Sequence, residues 1–201
     1  MCGRYALLNP NELFSRFGVT NQLDQQLIAN DDIRPTQLAP VVAMDHRAAL
    51  MRWGLVPAWA KDPSIGQKMI NARAEGLDEK PSFRKPLRVS RCLIPATGFY
   101  EWQTTDHGKV KYHFGLADDE MFGLAGLYDT WLDRVTGERR ETFTIITTTP
   151  NALVEAVHNR MPVILRQADE DVWLDPNETD SLQLLSILRP YPAEALRGRV
   201  A

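Results

Sequence analysis

A chain of 201 residues with 44% hydrophobic and 24% charged residues can bury one sizeable core and is too apolar to be a disordered segment. Its 23 basic and 26 acidic residues give a formal charge of −3, which argues against a generic polyanion binder but not against a local basic groove. Two cysteines, Cys2 and Cys92, argue against a disulfide scaffold or a zinc site and fit a reducing, cytoplasmic setting. No window approaches about 18 apolar residues, and no basic-then-apolar leader is visible. Neither a membrane partner nor a metal or other cofactor is expected. No oligomer signal is present, so a monomer is expected.

In chain order, Asn9–Gly18 predicts a short helix. Asn9 can cap it, Pro10 suits its first turn and Gly18 its stop. Leu13, Phe14 and Phe17 would share its buried face. Residues 40–44 and Ala48–Trp53 predict a strand pair. Residues 91–94, 98–103, 109–116, 121–128 and 141–148 predict strands, being rich in Thr, Ile, Val, Phe and Tyr. Asp106-His107-Gly108 and Thr136-Gly137 suit hairpin turns. Residues 151–158, 169–174 and 179–188 predict helices, followed by a short tail. The expected fold is α+β: a single domain over 1–201, built on a curved, mostly antiparallel, barrel-like sheet with flanking helices.

Four segments read as chemistry. Removal of Met1 ahead of a small residue would leave Cys2 with both a free α-amine and a thiol. Their reference pKa values, about 8 and about 8.5, leave roughly a tenth of each reactive at neutral pH. An amine condenses with an aldehyde to an imine, and the adjacent thiol closes that imine to a thiazolidine. Gly3 permits close backbone approach, and Arg4 puts a fixed charge two residues away. In Met69–Glu75 the alternation Asn71, Arg73, Glu75 puts three polar groups on one side of an extended strand. A helix would instead pair 71 with 75, and a salt-bridged surface face gives the same pattern. Glu101, between Tyr100 and Trp102, is either a desolvated acid with a raised pKa or a strand residue pointing to solvent. His158 ends a predicted helix two residues before Arg160, as a site residue or as a charge on the helix dipole.

Taken together, these segments resemble the SRAP (SOS-response-associated peptidase) family of abasic-site processing proteins. The resemblance rests on Cys2-Gly3-Arg4, residues 52–57 (RWGLVP), 71–75 (NARAE), 83–85 (FRK), 91–96 (RCLIPA), 98–102 (GFYEW) and 158–162 (HNRMP). It implies that Cys2 bonds covalently to the ring-opened aldehyde of an abasic deoxyribose in single-stranded DNA. It also implies that Asn71, Glu101 and His158 fall on active-site positions, and Arg4, Arg73 and Arg160 on DNA-contacting ones. The family's peptidase name comes from removal of the residues ahead of the cysteine. One block departs. The family usually carries an Asn-x-Ala-Pro-Thr-like loop near the DNA groove, whereas this chain has Asp32-Ile33-Arg34-Pro35-Thr36-Gln37. Strand contacts there are expected to differ.

The residues suit such chemistry on their own terms. Glu101 and His158 are proton-transfer groups, a role worth about 10²–10⁴-fold in rate. Asn71 offers donors and an acceptor in fixed geometry. Arg84, Lys85, Arg88 and Arg91 add cations for phosphate oxygens. Trp53, Phe99, Tyr100 and Trp102 are candidate stacking faces or apolar walls, although most tryptophans of a globular chain pack inside. Two other classes use the same features. One is an N-terminal-nucleophile peptidase or amidase, with Cys2 attacking a carbonyl. The other is a binding module without chemistry.

Overall fold

The apolar, β-branched runs in the middle of the chain close into a ring. The computed structural model describes residues 2–201. Its strands are β1 (Arg4–Leu7), β2 (Asn30–Ile33), β3 (Leu38–Ala43), β4 (Ala48–Trp53), β5 (Asn71–Arg73), β6 (Arg91–Ala96), β7 (Gly98–Thr105), β8 (Gly108–Leu116), β9 (Phe122–Leu132), β10 (Arg139–Thr148), β11 (Met161–Pro162) and β12 (Leu196–Val200). Around the ring β10 pairs with β4, β4 with β3, β3 with β6, β6 with β9 and β9 back with β10. All these pairings are antiparallel except β10–β4. β5 also runs parallel to β10, setting Asn71 opposite Ile145. Every residue of β6 is buried, as befits a strand covered on both faces.

A second, wholly antiparallel sheet has the order β12-β8-β7-β1-β2. Aromatic contact joins the two sheets: the Tyr5 ring of β1 meets Trp53 of β4 edge-on, centroids 5.4 Å apart. Trp53 in turn stacks on Phe143 of β10. Gly54 follows at φ +125°, where a Cβ would lie 2.6 Å from the Gly66 carbonyl oxygen, so the turn after β4 needs glycine.

Helices cover the ring: α1 (Leu13–Arg16), α2 (Pro81–Val89), α3 (Ala152–Glu155), α4 (Gln167–Leu174) and α5 (Ser181–Ser186). On α4, Trp173 Nε1 donates to the Cys92 carbonyl at 3.0 Å. Arg91, fully buried, donates to the carbonyls of Trp173, Leu87, Arg88 and Asp175. It therefore bolts α2 and α4 to β6 and is no phosphate ligand. Arg91→Ala leaves several buried acceptors unpaired. It is expected to cost about 3 kcal/mol or more, read as a lower urea midpoint.

Several local expectations are corrected. The Asn9–Gly18 helix is a 3₁₀ turn, Pro10–Glu12, followed by the single turn α1, and Asn9 makes no side-chain cap. Gly18 does adopt φ +59° at its end. Helix 151–158 shrinks to α3, capped by the Asn151 side chain accepting from Val154 N at 3.0 Å. Helix 179–188 shrinks to α5, capped by Asp180. The tail is strand β12, paired along β8. Of the segment Asp32–Gln37, read as loop, Asp32 and Ile33 close edge strand β2 and residues 34–37 form the turn before β3.

Candidate active site

Pairing of β1 with β7 builds the site. The register sets Arg4 opposite Tyr100, which brings Glu101 level with Gly3 and next to Cys2. The Asn71 side chain, held on β5 by β10, donates from Nδ2 to the Cys2 carbonyl at 2.8 Å. Its Oδ1 is buried and has no partner among the described residues, so an acceptor is left facing the cysteine's surroundings. The extended form of residues 71–73 settles the alternation: Ala72 is buried, with Asn71 half-buried and Arg73 exposed.

Glu101 is not a solvent-facing strand residue. It is 1% exposed, and burial raises its pKa to about 7. His158 Nε2 lies 3.9 Å from Glu101 Oε2. His158 Nδ1 accepts from the Arg160 backbone N–H at 3.0 Å. The same Nδ1 lies 3.2 Å from the Arg160 carbonyl oxygen, so either ring tautomer finds a backbone partner there. Burial pushes the His158 pKa down, so the imidazole is neutral at pH 7. Burial, reinforced by the Glu101 charge, pushes the Cys2 thiol up. Its Sγ lies 3.7 Å from the Arg4 carbonyl, as a donor, so the sulfur is a thiol and not a thiolate.

The buried carboxyl has a stability consequence. Glu101 keeps its proton to about pH 7 in the folded chain, but loses it at about pH 4.3 when unfolded. Between those values the folded state binds more protons, so this group's contribution falls as pH rises and is lowest above 7. Glu101→Gln is therefore expected to raise the melting temperature at pH 8 and to leave it nearly unchanged at pH 4.

The expected DNA contacts divide. Arg4 approaches Asp32 at 3.4 Å and lies 5.3 Å from the Trp102 ring centroid. Asp32 also binds Arg34, which holds its carboxyl below the usual range. Arg160 makes a two-pronged pair with Glu75 at 2.8 Å and 2.8 Å, and also bonds the Thr147 carbonyl. Arg73 is exposed. Trp53 is corrected: fully buried, with its Nε1 bonded to the Ile70 carbonyl, it offers no stacking face. Phe99 is likewise core. Arg84 and Lys85 are exposed on α2, which packs on β6, β9 and α5. None of those elements carries Cys2, Asn71, Glu101 or His158.

Two residues escaped the sequence reading. Tyr5 Oη is buried without a partner among the described residues. Its ionisation is suppressed by burial and then by Cys2, so it borders the thiol; its place in the opening Cys-Gly-Arg-Tyr run was the available signal. Trp59 is 57% exposed, the open aromatic face that Trp53 is not. Among the described residues no group of three or more His, Cys, Asp or Glu is placed to hold a metal ion. No helix is long and apolar enough to cross a membrane.

Fold and site define an α+β protein organised around Cys2, with a buried carboxyl and an imidazole beside it. The chain belongs to the SOS response associated peptidase (SRAP) family, which it matches over residues 1–200. It is 44% identical over 204 residues to abasic site processing protein YoqW of Bacillus subtilis, covering 98% of this chain and 91% of that one. It is 37% identical over 164 residues to abasic site processing protein HMCES of Gallus gallus, covering 70% of this chain and 48% of that one. A crystal structure of a protein from Bacteroides thetaiotaomicron matches with TM-score 0.93 and 32% identity, covering 99% of this chain and 91% of that one. A second, from Bordetella bronchiseptica, matches with TM-score 0.83 and 25% identity, covering 100% and 99%.

Proposed function

We propose that this protein captures abasic sites in single-stranded DNA as a thiazolidine on Cys2, after loss of Met1, a residue outside those described. The observation that carries this reading is the fixing of Cys2 by Asn71 beside a carboxyl group poised near neutral pH.

The cyclic sugar opens when a proton leaves its anomeric hydroxyl and another reaches the ring oxygen. Glu101, half-ionised near pH 7, can do both. The Cys2 amine then adds to the aldehyde and water leaves, giving an imine. The two protons that nitrogen loses pass to the departing oxygen through Glu101, with the neutral His158 ring as a hydrogen-bonding partner beside it, and Asn71 Oδ1 accepts a hydrogen bond from the amine. Finally S–H adds across C=N: sulfur bonds to carbon, and the proton passes to nitrogen through Glu101. The product has no C=N bond to hydrolyse or to drive β-elimination, so the strand stays intact.

Peptidase chemistry fits less well. A nucleophilic cysteine is activated by a lowered pKa and a neighbouring imidazolium. Here the thiol is pushed up and the imidazole faces Glu101. The test is incubation with a short abasic oligonucleotide, followed by a denaturing gel. A heat-stable adduct is expected from protein that begins at Cys2, and none from protein that retains Met1, whose amide nitrogen is not nucleophilic. Cleavage of added peptides without an adduct would favour the peptidase.

Asp32 supplies a prediction on binding. It competes with phosphate for Arg4, so Asp32→Asn should tighten binding of single-stranded DNA. The gain expected is about 0.2–1 kcal/mol, the scale of an exposed ion pair, measured by titration at fixed salt.

A further inference from the structure

The outer face of the five-stranded sheet carries a row of basic and aromatic side chains, of which Lys111, His113 and Arg199 have no role in the site described above. Paired residues of an antiparallel sheet point to the same side. Arg199 pairs with His113, His113 with Tyr100 and Tyr100 with Arg4, so these four form one line across β12, β8, β7 and β1. The line covers three strand spacings, about 14 Å. It ends at Arg4, two residues from Cys2. A second row lies beside it: Lys111 pairs with Trp102, and Lys111 Nζ sits 3.8 Å from the Tyr100 ring centroid.

The charges on this face are unevenly matched. Arg4 has Asp32, and Arg197 has Asp119. Lys111 and Arg199 have no ion pair among the described residues. Arg199, Arg197 and Lys111 all push His113 toward its neutral form, after burial itself. A hollow of about 660 Å³ opens here, lined by Tyr100, His113, Thr97 and Arg199 and also by Asp31 and Asp119, the latter paired with Arg197. Lys111 and Arg199, the two cations here without an ion pair among the described residues, thus stand beside Tyr100 and Trp102 on a face that leads through Arg4 to the nucleophile.

We propose that this face is a track for the DNA strand flanking the captured lesion, with Lys111 and Arg199 on its phosphates and the Tyr100–Trp102 side offering apolar contact. Charge complementarity and continuity with Arg4 identify the occupant as the same strand. Cations plus aromatic surface are what sequence-blind single-strand binding requires. The proposal rests on the abasic-site reading above.

The test uses the double variant Lys111→Ala/Arg199→Ala and abasic oligonucleotides of two lengths. One carries only a nucleotide or two on each side of the lesion; the other has long single-stranded flanks. With long flanks the variant should bind more weakly, and its log–log salt slope should fall by about 1.4, or about 0.7 per lost phosphate contact. With short flanks its crosslinking rate should equal that of the unaltered protein. A control pair, Arg134→Ala/Arg139→Ala on the β9–β10 hairpin, removes the same charge elsewhere and should leave both unchanged. Unaltered affinity and slope with long flanks, or an equal loss in the control pair, would overturn the track. Failure of the unaltered protein to crosslink even the short oligonucleotide would instead overturn the abasic-site reading, which keeps the two failures distinct.

Discussion

Cys2→Ser is expected to abolish the stable DNA adduct. Serine keeps the α-amine, so an imine still forms, but its hydroxyl closes to an oxygen ring that reopens readily in water. The adduct should appear only when trapped by a reductant and should vanish on heating without one. Cys2 is fixed by Asn71 through its backbone carbonyl, so the substitution leaves the residue in place and removes only the sulfur. Cys92→Ala is the natural comparison. Cys92 is buried on β6, and its carbonyl, not its thiol, holds Trp173, so that variant should crosslink normally. A full yield of heat-stable adduct from Cys2→Ser would show that the thiol takes no part.

The second large effect is expected at Glu101. Glu101→Gln keeps shape and burial and removes only the ability to move a proton. Crosslinking should slow by about 10²–10⁴-fold, the range for a positioned general acid–base, while DNA affinity stays nearly constant. The pH profile carries the sharper information. With a carboxyl pKa of about 7, the unaltered protein needs both protonation states, so its rate should bend near neutrality. The Gln variant should lose that bend. His158→Ala should alter formation and reversal of the adduct without abolishing binding, because its ring contacts Glu101 and the Arg160 backbone. A Glu101→Gln rate equal to the unaltered one across pH 5 to 8 would remove Glu101 from the chemistry.

Legibility in the sequence followed the range of the forces involved. The strands β3, β4, β6, β9 and β10 announce themselves through buried apolar stretches such as residues 92–94 and 143–146, and β7 and β8, half open to solvent, through their aromatic and Val residues. Strands β1, β2 and β12 do not. They are short, and β2 and β12 are mostly exposed, so their stability comes from partners distant in the chain. Closure of the ring depends on the parallel pairing of β4 with β10, which no local pattern encodes. Helix α2 was masked by Pro81 and Pro86, since an interior proline counts against a helix. At the site, residue type singled out Cys2 but left Asn71, Glu101 and His158 open between site and surface roles, which the family resemblance decided, and folding brings their elements together. Roles that depend on exposure were not readable: Trp53 and Arg91 are core, and Trp59 is open. Nor could the ion partners Asp32 and Glu75 be assigned to Arg4 and Arg160, because those contacts join separate strands and loops.

The central claim, that one N-terminal residue supplies both nucleophiles, is tested most directly by intact mass after incubation with an abasic single-stranded oligonucleotide. The account predicts a single species whose mass equals the chain beginning at Cys2 plus the oligonucleotide less one water. Digestion should place the adduct on Cys2, with its sulfur no longer open to alkylation. An adduct on a chain that still carries Met1, on a lysine, or on Cys2 with a freely alkylated thiol would contradict it.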